Sequence, residues 1–166
     1  MSRLAIIGTA GRNEDGVTLT SAHYDFIYDT CKQLLVDHGF ECVISGGSAW
    51  ADHVAVKLYN EGLIANLVLY LPFTFSSGVY SSDHLNTLHR KFSSKCGINS
   101  LDEISKAINR GAVVHYGNGF HDRNTLIAKN ASKLIAFTFG VNEPKPGGTF
   151  DTWNKTSCPK LHISLL

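Results

Sequence analysis

Four short stretches of this chain set glycines beside charged or hydrogen-bonding residues in the manner of turns that hold phosphate. The first is Gly8-Thr9-Ala10-Gly11-Arg12. Its glycines let backbone approach a ligand closely, and a guanidinium can grip phosphate oxygens two at a time; the plain alternative is a tight turn with a solvated arginine. The second, Ser45-Gly46-Gly47-Ser48-Ala49-Trp50-Ala51-Asp52, puts paired glycines ahead of a helical pattern with an acid in its first turn. Asp52 either complements the helix dipole, worth about 0.3 to 1 kcal/mol, or accepts hydrogen bonds from a ribose or an amine. The third is Asp122-Arg123-Asn124, near a helix start, where an arginine gains nothing from the dipole and is better explained by a ligand. In the fourth, Pro146-Gly147-Gly148-Thr149-Phe150-Asp151-Thr152-Trp153, the Gly148 and Thr149 amides and the Thr149 hydroxyl are natural phosphate donors. Asp151 suits a sugar hydroxyl or acid-base work, and an ordinary capped helix start is the alternative.

The candidate ligand-binding set is therefore Gly8, Thr9, Gly11, Arg12, Gly46, Gly47, Asp52, Arg123, Asn124, Gly147, Gly148, Thr149 and Asp151. No residue is assigned a catalytic role, and no metal or cofactor is expected. Cys31, Cys42, Cys96 and Cys158 lie far apart with no zinc-like spacing, and the eight histidines are scattered, so the cysteines are expected to be reduced and to pack as small hydrophobes.

These turns need strands and helices to hold them. Leu4 to Ile7 is apolar on both faces, as a central parallel strand must be. A helix with Tyr24, Ile27, Cys31, Leu34 and Leu35 at near-helical spacing follows, with Thr20 or Ser21 as cap and Gly39 as stop. Phe40 to Ile44 reads as a strand, Trp50 to Asn60 as a helix, and Leu67 to Leu71 as a third strand closed by Pro72. The stretch from 73 to 100 breaks the rhythm and is expected to be an insertion or lid over the sheet edge. Ser100-Leu101-Asp102-Glu103 matches a capping box for a helix ending at Gly111. Ala112 to Tyr116, Leu134 to Phe139 and Leu161 to Ile163 read as strands, with helices over Phe120 to Asn130 and from about Phe150. This alternation predicts one α/β domain over residues 1–166, a Rossmann-like three-layer sandwich with a mostly parallel sheet and helices on both faces.

Composition limits the partners. Fifteen basic against fourteen acidic residues leave a formal charge of +1, too little for the broad positive field of a nucleic-acid binder. No apolar run reaches the roughly 18 residues of a membrane span, and the N-terminal stretch lacks a signal's apolar region, so a soluble, cytoplasmic protein is expected. Monomer and homodimer are both open.

Together, in this order, the Gly-Thr-Ala-Gly-Arg, Ser-Gly-Gly-Ser-Ala-Trp-Ala-Asp, Arg-Asn and Pro-Gly-Gly-Thr motifs resemble the SLOG superfamily. That Rossmann-like superfamily contains the Lonely Guy phosphoribohydrolases, the DNA-processing protein A family and sensors of NAD-derived or other nucleotides. The likeness covers nearly the whole chain outside 73–100. It implies a nucleotide or NAD-derived, phosphate-bearing ligand held by Arg12 or Arg123 and the glycine-turn amides, with Asp52 or Asp151 on sugar hydroxyls. The alternative it implies is N-glycosidic hydrolysis of a nucleoside monophosphate. Lonely Guy enzymes carry Pro-Gly-Gly-x-Gly-Thr-x-x-Glu, however, whereas here the second glycine is absent and Asn154 stands where the glutamate belongs. A partner-binding scaffold would instead use aromatics of the 73–100 segment, Phe73, Phe75 and Tyr80.

Overall fold

A computed structural model describes residues 2–166. Six parallel strands form one sheet in the order β6-β3-β2-β1-β7-β8: β1 (Arg3–Gly8), β2 (Cys42–Ser45), β3 (Asn66–Leu71), β6 (Val113–Tyr116), β7 (Lys133–Thr138) and β8 (Lys160–Ser164). A two-stranded antiparallel hairpin, β4 (Phe75–Ser76) and β5 (Val79–Tyr80), stands apart from it. Side chains alternate across a strand, so Leu4 and Ile6 of β1 enter one apolar layer and Ala5 and Ile7 the other. The first layer packs under α2 (Ser21–His38), α3 (His53–Asn60), α4 (Asp83–Cys96) and α5 (Ser100–Asn109). The second is covered by α6 (Phe120–Asn130) and α7 (Gly148–Lys155), through Ile127 and Trp153. The molecule is a Rossmann-like three-layer α/β sandwich, as the alternation of apolar runs and helical patterns predicts.

The local differences have physical causes. The loop after β1 contains a short helix, α1 (Glu14–Thr18), closed from outside by Lys95 Nζ, which donates to the carbonyls of Gly16 (2.7 Å) and Leu19 (2.7 Å). The helix expected from Trp50 starts instead as a 3-10 turn over Trp50–Asp52, with Trp50 at φ 67, a left-handed conformation that is strained for a bulky aromatic. Packing holds it there: Trp50 is buried with its ring 4.8 Å from that of Phe92.

The 73–100 segment, which follows β3, is packed rather than loose, and its hairpin meets the edge strand β6 where the Phe75 backbone bonds to the Tyr116 hydroxyl. It folds into the hairpin and α4, whose Leu85, Leu88 and Phe92 are buried in the main apolar layer. Phe75 and Tyr80 are buried too, and Phe73 is partly buried against that layer, so these aromatics are core rather than a docking surface. In place of the capping box expected at Ser100, α5 has a single side-chain cap one residue earlier. Asn99 caps α5 by accepting from the Asp102 amide at 3.1 Å, while Ser100 is fully buried against His89 and Ser93. Glu103 is thereby free to reach His53 at 2.8 Å.

Candidate functional site

The sheet order reverses between β1 and β7: the chain steps outward to β2 and β3 on one side and returns to β7 on the other. In open α/β sheets this reversal leaves a crevice beyond the carboxyl ends of the two central strands, because their connections leave toward opposite faces. A cleft of about 600 Å³ lies here, lined by Ile7 and Gly8 at the end of β1 and by Thr138 at the end of β7.

Nine of the expected residues, Gly8, Thr9, Arg12, Asp52, Arg123, Asn124, Gly147, Gly148 and Thr149, line this cleft, whereas Gly11, Gly46, Gly47 and Asp151 do not. The latter shape it from behind. Gly46 lends its carbonyl to Arg123 Nη1, and a methyl added at Gly46 would strike that nitrogen and come within 2.9 Å of Asp52 Oδ2. The Gly47 carbonyl accepts from Tyr80 Oη at 2.7 Å and lies 3.0 Å from His89 Nε2, which fixes the turn to the α4 side of the fold. Gly11, at φ +79, leaves room for the Trp50 indole, whose Nε1 an added Cβ would meet at 2.6 Å.

Arg123 and Asn124 were expected to contact ligand, yet much of their polar capacity is taken by the protein. Arg123 is 6% exposed. Its Nε donates to Asn124 Oδ1 at 3.0 Å, and Nη1 lies 3.8 Å from Asp52 Oδ2 as well as on Gly46. Asn124 Nδ2 donates to the Gly148 carbonyl (3.3 Å) and to Asp151 Oδ2 (3.1 Å), tying α6 to α7. Asp151 is also met by Lys155 at 3.0 Å and His121 at 3.3 Å. Burial pushes the Asp151 carboxyl up, but the hydrogen bonds from Lys155, Asn124 and His121 more than offset it and hold the group below its ordinary range.

Arg12 differs. Its guanidinium lies 4.7 Å from the Phe120 ring centroid, and its buried Nε finds no acceptor among the described residues. Burial lowers its pKa, with Asp52 acting in the opposite sense; a guanidinium nonetheless remains cationic. A buried donor left without a partner costs about 1 to 3 kcal/mol, so such a group in a cleft is poised for an acceptor from outside.

Asp52 is buried at the base of the cleft, where Oδ2 accepts from the Ser48 amide at 3.2 Å. Burial raises its pKa, and the opposing pulls of Arg123, Ser48 and Arg12 do not cancel that. The ion pair with Arg123 is long at 3.8 Å, which explains why desolvation prevails.

The α7 helix begins at the rim with Gly147 at φ 146 as its cap, a backbone conformation that favours glycine. The amides of its first turn have no partner within the helix and carry the positive end of its dipole. Thr9 proves to be a builder of the first turn: its hydroxyl donates to Asp15 at 2.6 Å and accepts from the Gly11 amide at 3.2 Å.

Sequence reasoning missed Ser48, Asp15, Phe120 and Lys145, all on the cleft wall. Lys145 sits between two prolines directly before the glycine pair, a visible signal for a basic residue at a ligand loop. It bridges to Asp15 at 3.1 Å, joining the loops on the two sides of the cleft. Phe120 carried no local signal, because only the fold sets its ring beside both Arg12 and Arg123.

Fold and site together define an α/β domain with a cation-bearing cleft at the switch point of a parallel sheet. The chain is 43% identical to the uncharacterised protein R261 of Acanthamoeba polyphaga mimivirus over an alignment of 175 residues, covering 98% of this chain and 96% of the viral protein. It belongs to the same family as that protein. No protein-family model matches it. Among the described residues, no three histidine, cysteine or acidic side chains come together as a metal site, and no helix is long and apolar enough to cross a membrane.

Proposed function

We propose that the switch-point cleft binds a nucleotide or NAD-derived small molecule through its phosphate, in order to sense, carry or sequester it. The observation that carries this reading is Arg12, whose buried Nε has no acceptor among the described residues and which shares the cleft with the first turn of α7. A phosphate would take the Arg12 guanidinium on one side and the Gly148 and Thr149 amides on the other. Asp52 would accept from sugar hydroxyls. Arg123 and Asn124, bonded to the protein itself, would hold Asp52 and the start of α7 in place rather than grip the phosphate. The ordered series of glycine turns around this cleft also supports the likeness to the SLOG superfamily.

The test is a thermal-shift screen against mono-, di- and cyclic nucleotides, NAD and ADP-ribose, with the matching phosphate-free nucleosides alongside. A ligand at 100 times its dissociation constant adds about 2.7 kcal/mol of stability. At least one phosphate-bearing compound should raise the melting temperature while its nucleoside does not. Equal shifts from the nucleoside would refute a phosphate-led site.

A second reading rests on Asp52 alone. A carboxyl held above its ordinary range inside a cleft is suited to general acid catalysis, here of N-glycosidic cleavage in a nucleoside monophosphate. Asp151 is less suited, being held low and off the cleft wall. Release of free base from any compound of the same panel, abolished in Asp52→Asn, would establish it in place of simple binding.

A further inference from the structure

The molecule has a second cleft, of about 510 Å³, that shares no lining residue with the first. It opens between α2, α3 and α5, with Tyr24 and Ile98 among its walls and charges of both signs around it: Lys57, Lys106 and Arg110 against Glu61 and Glu103.

Two buried polar atoms belonging to this wall have no hydrogen-bond partner among the described residues, Tyr24 Oη and Asn60 Oδ1. Native folds leave few such atoms, and two on one wall call for an explanation. Tyr24 is only 3% exposed, and no described residue offers its hydroxyl an acceptor. Nor can Asn60 relieve its oxygen by flipping the amide. Its Nδ2 donates to the Glu103 carbonyl at 3.0 Å, and the flip would give up that bond. Asn60 Oδ1 can only accept, while a tyrosine hydroxyl has a proton to give. The missing partner therefore brings a donor for Asn60 and an acceptor for Tyr24.

The neighbouring charges repeat that pattern. Glu103 is steadied by His53 Nε2 at 2.8 Å, and Glu61 by the Tyr28 hydroxyl. Lys57 Nζ lies 5.6 Å from the Tyr24 ring centroid and 4.3 Å from that of Tyr28. A carboxylate and an amide oxygen thus stand on one side of the requirement, and an ammonium and a hydroxyl on the other.

We infer that this second cleft binds a small zwitterion of the α-amino acid class, its ammonium toward Asn60 Oδ1 and Glu103 and its carboxylate toward the Tyr24 hydroxyl and Lys57. Ile98 and the Tyr24 ring offer an apolar wall to its side chain. The inference does not rest on the nucleotide reading of the first cleft.

The test is calorimetric titration of the full chain with the standard L-α-amino acids, each beside its amine-only and acid-only analogue. At least one amino acid should bind saturably, with both analogues at least about tenfold weaker. Tyr24→Phe should weaken binding about tenfold while leaving the melting temperature unchanged or higher, because it removes a hydroxyl that no described residue pairs with. Lys57→Met, which keeps an unbranched apolar stem beside the Tyr24 and Tyr28 rings, should weaken it comparably, and Arg12→Ala should leave it intact. Absence of binding across the amino acids, equal affinity for an amine-only analogue, survival of binding in both Tyr24→Phe and Lys57→Met, or its loss in Arg12→Ala would each overturn the assignment.

Discussion

Arg12 and Arg123 line the same cleft, but their surroundings give them different parts. Arg123 is bonded to Gly46 and Asn124 and paired with a buried Asp52, so its removal strands a carboxylate in the interior. Arg123→Ala should cost about 3 to 5 kcal/mol in urea denaturation, the usual loss when one partner of a buried pair is deleted. A cost below about 1 kcal/mol would show that the pair is not structural. Asp52 gives a pH signature of defined sign. Its folded pKa lies above the ordinary 3.8, so as pH rises from there through the folded value the unfolded chain loses this proton first. Deprotonation then favours unfolding, and stability falls across that window. The difference between wild type and Asp52→Asn in pH-dependent denaturation should show that fall, and a difference of opposite slope would contradict the assignment of burial as the dominant cause. The residue types at issue were legible in the sequence: an arginine after a glycine turn, an acid after a glycine pair. Which arginine was free was not, because the Gly46 bond and the Asp52 pair that occupy Arg123 depend on how α6 meets the chain beyond the end of β2.

The elements show the same division. Apolar runs made the central strands readable, and Gly39 ended α2 as its position suggested, with φ 65 and its amide on the Leu35 carbonyl. The 73–100 segment was not readable, because its polar composition hides how few buried residues suffice to dock a helix. Leu85, Leu88 and Phe92 recur at helical spacing, and the rings of Phe92 and Trp50 are in contact beneath the turn that ends in Asp52. Phe92→Ala should therefore cost about 3 to 5 kcal/mol, like other deletions of a buried aromatic ring, as read from the denaturation midpoint. A peripheral lid would lose far less, and a change below about 1 kcal/mol would restore that reading. The strained Trp50 backbone could not be foreseen either, since its left-handed conformation is imposed by packing against a helix some forty residues further along the chain.

At the scale of the whole molecule, strand order decides where chemistry can occur. Placing β1 between β2 and β7 brings turns from the first and last thirds of the chain to one crevice, and this much followed from the alternation of strands and helices. The near balance of charge likewise directs attention to a local cation rather than to a basic surface. The second cleft had no such forecast, because Tyr24, Lys57 and Asn60 read as ordinary positions of α2 and α3 until the helices are packed. The central claim is that Arg12 is the free cation that recognises a phosphate. Its most direct test is calorimetric titration of wild type and Arg12→Ala with the strongest phosphate-bearing compound of the nucleotide panel. Affinity should fall at least about tenfold, as expected for a lost charge-assisted hydrogen bond, while the melting temperature in the absence of ligand stays close to wild type. Unchanged affinity in a folded Arg12→Ala protein would contradict the account.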